Sequence, residues 1–180
     1  MKRNGVYIEG LDEFIARIDS ARHGAFKAEV ANWLQEKGLD FLDIVQRQII
    51  ETDTIDTERL LNSFKIGTKD NVWITSSDGL SLEVGTNVEY AVWVNSGHWT
   101  TPKGVSQRWV PGSWSGNKFT YDPNATTGMM LKRKWVDGKH YWDSAQLIFS
   151  NMFDKDLDRK LDEWINSYFD FSKSTRKRRK

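Results

Sequence analysis

The feature that most limits what this chain can fold into is a change of hydrophobic period along it. Two long stripes at helical spacing flank a stretch in which apolar and polar residues alternate. Phe26, Val30, Trp33, Leu34, Phe41, Val45 and Ile49 keep to one stripe, with Glu29, Glu36, Asp40, Asp43 and Arg47 mostly elsewhere, which predicts a long amphipathic helix. Gly38 sits in its middle and predicts a weak point or a kink. A shorter stripe, Leu11, Phe14, Ile15 and Ile18, predicts a first helix that closes near His23 and Gly24. At the other end Ala145, Ile148, Phe149 and Met152, followed by Leu157, Leu161, Trp164, Ile165 and Tyr168, predict a last helix opened by Asp143 or Ser144 and running to about Phe171.

Between the stripes, Asp56 or Thr57 can cap a short turn that carries Leu60, Leu61 and Phe64 inward. Segments 63–68, 71–76 and 80–86 alternate as strands do, and the break at Ser77, Asp78 and Gly79 predicts a hairpin. Residues 88–97, VEYAVWVNSG, fit a strand or a single helical turn equally well. The resulting order predicts an α+β domain over residues 1–172, with N-terminal helices and a C-terminal helix packed on a small antiparallel sheet. Residues 97–140 interrupt that pattern with Trp99, Trp109, Trp114 and Trp135 set among Gly, Ser and Lys. A compact domain rarely carries more than about 15 structureless residues without a use for them, so this insertion is a binding loop or a pair of long hairpin strands reaching outward.

Charge is segregated although the total is only +1. Residues 1–96 sum to −6, residues 97–140 to +5, residues 141–172 to −4, and the last eight, KSTRKRRK, to +6. That tail has nothing apolar to bury, so residues 173–180 are expected to be disordered until a polyanion or an acidic surface orders them. Lys173, Arg176, Lys177, Arg178, Arg179 and Lys180 are the residues expected to make that contact.

Catalytic vocabulary is thin. The chain has no cysteine, which excludes a disulfide scaffold, a thiol nucleophile and thiolate metal sites. It has no glycine-rich phosphate cradle and no GxSxG nucleophile signature. His23, His98 and His140 lie far apart, without a second His at ligand spacing. Asp154, Asp156 and Asp158 read as acids at the start of the last helix, complementing its dipole, and not as a metal cluster. No catalytic, cofactor-binding or metal-binding residue is singled out, and no enzyme activity or cofactor is expected. The first residues lack a signal-like apolar core, and no apolar run is long enough to span a membrane. Contact-forming vocabulary is rich, with nine Trp. Trp33, Trp73 and Trp164 fall on apolar faces and read as core. Trp99, Trp109, Trp114 and Trp135 suit an interface, sugar stacking or base stacking, with interface burial favoured.

Three stretches taken together carry a resemblance. IEGLDEFIARID is followed by the long helix, then by IDTERLLNSFKIG (residues 55–67), then by VGTNVEYAVWVNSGH (residues 84–98). In that order they resemble the tail-component family of long-tailed bacteriophages, small head-tail joining or tail-completion neck proteins also found in prophage-like elements. Asp56, Thr57, Leu60, Ser63 and Phe64 fill the family's first pattern, and Gly85, Thr86, Tyr90, Ala91 and Gly97 its second. The chain departs from it at Glu58, where the family has Gly, and at GKHYWDSA, which replaces a Pro-aromatic approach to the last helix after a longer insertion.

The resemblance implies a non-enzymatic, ring-forming structural subunit of the head-tail connector, located in the virion and assembled in the host cytoplasm. Its partners would be copies of itself, portal-side proteins, tail-tube or tail-terminator proteins and, through the basic tail, packaged DNA; a membrane and a small-molecule substrate are not among them. Tyr90 and Trp93 are expected to pack the sheet against the helices or to fill a neighbour's pocket. Gly85 and Gly97 are expected where the backbone needs conformations that other residues avoid. A rival from a different class is a nucleic-acid-binding module that uses the basic tail and the Trp-rich loop.

Overall fold

The computed structural model describes residues 24–54, 58–77 and 79–169. The first predicted helix, the pair Asp56 and Thr57, Asp78 of the predicted turn and the basic residues from Lys173 to Lys180 lie outside the described residues.

Two long helices form the frame. Helix α1, Ala25–Glu51, follows Gly24 and buries Trp33, Phe41, Leu42, Ile44, Val45 and Ile49. Helix α4, Tyr141–Phe169, packs along it and buries Tyr141, Ala145 and Trp164. Aromatic edges join the two: Phe41 meets Trp142 at 5.0 Å and Phe149 at 5.1 Å, and Trp33 meets Phe153 at 5.3 Å and Trp164 at 5.8 Å. Phe26, at the start of α1, meets Trp164 at 5.3 Å, so the helices run antiparallel. Large rings meeting edge to face add geometric preference to the apolar area they bury.

An ion network crosses the same seam. Lys37 Nζ lies 2.7 Å from Asp156 on α4 and 2.7 Å from Asp40 on its own helix, and Arg159 reaches Asp156 at 3.0 Å. Asp154, Asp156 and Asp158 therefore do not open the last helix as expected. Helix α4 already starts at Tyr141, and the three acids lie in its middle.

Gly38 does not break α1, which runs through it. Its lack of a side chain is used for close approach: a Cβ there would collide with Leu82 Cδ2 and come within 2.8 Å of the Trp73 ring. Trp73 and Leu82 belong to an antiparallel hairpin, β1 (Asn71–Thr75) and β2 (Leu82–Thr86), with Trp73 opposite Val84. The predicted strand at 63–68 is absent. Helix α2, Arg59–Asn62, continues through turns in which Ser63 N–H donates to Arg59 O, Lys65 N–H to Asn62 O and Thr68 N–H to Lys65 O. A series of turns that buries Phe64 and exposes Ile66 imitates alternation over so few residues.

Residues 88–97 resolve as a helix, α3 (Ala91–Ser96), because Val88, Ala91 and Asn95 are the positions that become buried. The insertion resolves as strands. They are β3 (His98–Trp99), β4 (Gln107–Ser115), β5 (Lys118–Tyr121), β6 (Gly128–Lys132) and β7 (Trp135–Val136). Strand β4 pairs antiparallel with β6 through its first half and with β5 through its second, while β3 pairs with β7. The class is α+β, with the antiparallel pairing divided among three small sheets. Only the β1–β2 hairpin lies against α1 in the predicted manner; the other two sheets form an arm.

Hydrogen bonding from Lys37, aided by the charges of Lys37 and Arg159, holds the Asp156 carboxyl below its usual range. A depressed acid contributes stability that is present above its unfolded value of about 3.9 and is lost as pH falls through the lower folded value. Acidification is thus expected to loosen the α1–α4 seam, and Asp156→Asn to make the fall in denaturation midpoint between about pH 5 and pH 2 shallower. Equal slopes for the two proteins would contradict the assignment.

Candidate assembly interface

Two constructions position the arm. The first is a buried polar knot that ties the turn after α2 to the end of β2. Val88 N–H donates to Thr86 Oγ1 at 3.0 Å, the Thr86 hydroxyl to Ser63 Oγ at 2.7 Å, and the Ser63 hydroxyl to Leu60 O at 2.7 Å. Asn71 Nδ2 donates to Ser63 O at 3.1 Å, and Gln46 Nε2 to Phe64 O at 3.2 Å. Hydroxyls satisfied in a chain through the buried Ser63 fix one geometry, because leaving a buried hydroxyl without its bonds is costly. Leu60, Phe64 and Ala91 are buried in the core around the knot, and Tyr90 packs against that core.

The second construction is the neck where the arm leaves the core and returns. Gly97 has φ of +79°, as its sequence position leads one to expect. A Cβ on it would lie 2.7 Å from both Val136 O and the Trp135 ring, and a Cβ on Gly138 would collide with Asn95 O and reach 2.7 Å from Gly97 N. The outgoing and returning chains therefore touch backbone to backbone. Gly85 has no such role: a Cβ there would meet Val72 Cβ at an ordinary 3.9 Å.

Asn95 completes the neck. Its Oδ1 accepts from Trp142 N–H at 2.9 Å, in the first turn of α4, and its Nδ2 donates to Asp143 Oδ1 at 3.1 Å. Lys139 N–H donates to Val94 O and His140 N–H to Asn95 O. Hydrogen bonds from His140 and then Asn95 keep the Asp143 carboxyl below its usual range. The Tyr141 hydroxyl donates to Ala91 O at 3.3 Å, and burial pushes its pKa up to about 12. Asn95 and Gly138 were not singled out in the sequence, since their partners are set by the fold.

The four Trp of the insertion do not form one patch. Trp99 and Trp135 meet edge on at 5.4 Å near the neck, with the Arg133 guanidinium 4.2 Å from the Trp99 ring centre. Arg133 is fixed there by donating from Nη1 to Pro102 O at 2.7 Å and to Thr101 O at 3.2 Å. Trp109 lies over Gly128, which has no Cβ to obstruct the ring. Trp114, further out, meets Phe119 at 5.2 Å. All four remain 41–57% exposed. Trp93 is also exposed and stands with His98, Trp99, Arg108 and Leu131 around an open hollow of about 470 Å³.

What the arm offers chemically is contact area and unanswered positive charge. Lys103, Arg108, Lys118, Lys132 and Lys134 are exposed. No ion pair among the described residues involves any position from 98 to 139. Also among the described residues, no group of three or more His, Asp or Glu is placed to hold a metal ion, and no helix is long and apolar enough to cross a membrane.

Comparison with known proteins gives the family. Residues 12–97 match the family model described as "Bacteriophage HK97-gp10, putative tail-component". The match ends at Gly97, where the arm begins. The phage-like element PBSX protein XkdI of Bacillus subtilis (strain 168) is 51% identical over 158 residues, covering 88% of this chain and 97% of that protein. The uncharacterized protein YqbI of the same strain is 48% identical over 165 residues, 90% of this chain and 99% of that one. No solved structure matches.

The knot is testable apart from any function. Thr86→Val removes the acceptor for Val88 N–H and the donor to Ser63 at once, and is expected to cost about 1–3 kcal/mol in denaturant unfolding. An unchanged midpoint would mean that the knot does not hold the core.

Proposed function

The chain belongs to the HK97-gp10-like family of phage tail components, and from that premise we propose that it is a structural subunit of the head-tail connector. It joins completed heads to tails, or completes the tail end that docks, as one member of a homo-oligomeric ring. Its place is the virion, after assembly in the host cytoplasm, and its neighbours are portal-side proteins and tail-tube or tail-terminator proteins. It works without catalysis, cofactor or small-molecule substrate, through residues 1–172 acting as one folded unit. The arm carries the proposal: a neck of close backbone contacts holds exposed aromatic rings and unpaired cations away from the core, as suits a subunit whose partners arrive during assembly.

A ring requires one surface facing each way around the axis, the two being different and complementary. Segregated charge supports that polarity, with the arm positive and the segments before and after it negative. The basic tail, residues 173–180, would act over about a Debye length, about 8 Å at physiological salt, on an acidic rim or on the DNA end in the channel. A nucleic-acid-binding module is the competing class. It would bind short duplex DNA with an affinity that falls steeply as salt rises.

Removing the gene from a producing strain should yield filled heads and finished tails that stay apart under the electron microscope, and supplying the full chain should rejoin them. The chain cut after Ser172 should keep its melting temperature but join fewer particles as ionic strength increases. Normal particles without the chain would overturn the proposal.

A further inference from the structure

Two exposed strips on this chain have complementary chemistry and do not meet within it. On the arm, Trp109 stands opposite Met130 and Gln107 opposite Lys132. Opposed residues share a face of the sheet, so Trp109, Met130 and Lys132 form one strip, with Trp109 53% and Met130 49% exposed. Lys132 has no partner among the described ion pairs.

The second strip runs along α4. Leu147, Asp154, Asp158, Leu161 and Ile165 fall on one line of a helix with 3.6 residues per turn, away from the buried Ala145 and Trp164. Leu147 is 66% exposed, Leu161 41% and Ile165 55%. Asp154 and Asp158 are exposed, and neither takes part in a described ion pair. Asp156, two residues from either, faces α1 and is engaged by Lys37. The outward line thus presents a free acid, Asp158, next to the apolar Leu161 and Ile165, where the arm presents a free cation, Lys132, next to the apolar Trp109 and Met130.

We propose that the arm strip of one copy lies along the outward line of α4 on the next copy. This rests on the ring-subunit reading and gives it a contact. A positive strip repels its own kind, and so does a negative one, so two copies pair arm to helix. Made in one direction around the axis, as the ring-subunit reading requires, that contact is heterologous and closes into a ring where the rotation fits. Trp109 and Met130 supply burial against Leu161 and Ile165, while Lys132, beside them on the arm, meets Asp158, one turn before Leu161, and sets orientation.

Charge exchange in the full-length protein tests this. One variant carries Asp158→Lys, a second Lys132→Asp, and a third both changes. Each is produced in place of the strain's own copy, checked for an unchanged melting temperature, and counted per particle by quantitative mass spectrometry. Either charge reversal is expected to lower incorporation at least about tenfold, and the double variant to recover to within about twofold of the parent. Incorporation of either single variant at the parent level, or loss in both with no recovery in the double variant, would overturn the contact. If the unsubstituted chain is itself absent from particles, the ring-subunit reading fails and the contact falls with it. If that chain is present and the variants enter as readily, the reading stands and the contact is wrong.

Discussion

The structure depends on one aromatic junction. Phe64 sits with its ring 6.3 Å from Tyr141 and 5.9 Å from Trp142, and Trp142 meets Phe41 at 5.0 Å. Those four rings belong to the turn after α2, to α4 and to α1, and the Tyr141 hydroxyl reaches α3 through Ala91 O. Such rings bury large areas and prefer tilted contacts, so each limits where the others can go. Because α4 begins at this junction and Asn95 holds its first turn, the position of the neck, and of the arm beyond it, follows from how the rings pack. The family match, residues 12–97, takes in α1, the Ser63–Thr86 knot and α3. The arm is built outside that match, on a base the match contains.

Both long helices were legible in the sequence because their stripes run far enough to fix a period of 3.6. The hairpin was legible because two alternating runs flank a turn signal. Six residues at 63–68 are too few to separate a strand from consecutive turns, and hydrogen bonds continuing from α2 decided it. Residues 88–97 could not be resolved by period, since burial of Val88, Ala91 and Asn95 comes from neighbours distant in sequence. The acids at 154–158 have the composition of an N-terminal turn, but the apolar stripe from Ala145 already runs through them, and the helix starts at Tyr141, close to the Asp143 or Ser144 that the stripe predicts. Gly38 carries the weak helix propensity noted for it, offset by the close packing of Trp73 and Leu82.

The candidate site was legible in composition and not in geometry. Trp residues among Gly and Lys marked residues 97–140 as a contact region, and the charge blocks marked it as positive. Sequence gave no means to see that Trp99 and Trp135 serve the neck with Arg133 while Trp109 and Trp114 lie further out. That division comes from strand register. Glu58, the departure noted from the pattern the chain resembles, takes φ of +57°, a left-handed conformation that glycine adopts without cost and other residues with some strain.

The central claim is that a tail-component core presents its arm to neighbouring copies in an assembled ring. Cryo-electron microscopy of particles containing this chain tests it most directly, at the junction of head and tail. A closed ring of this chain is expected there, with every arm seated against the adjacent subunit. A finished junction that lacks the chain, or that contains it with the arms directed into solvent, would contradict it.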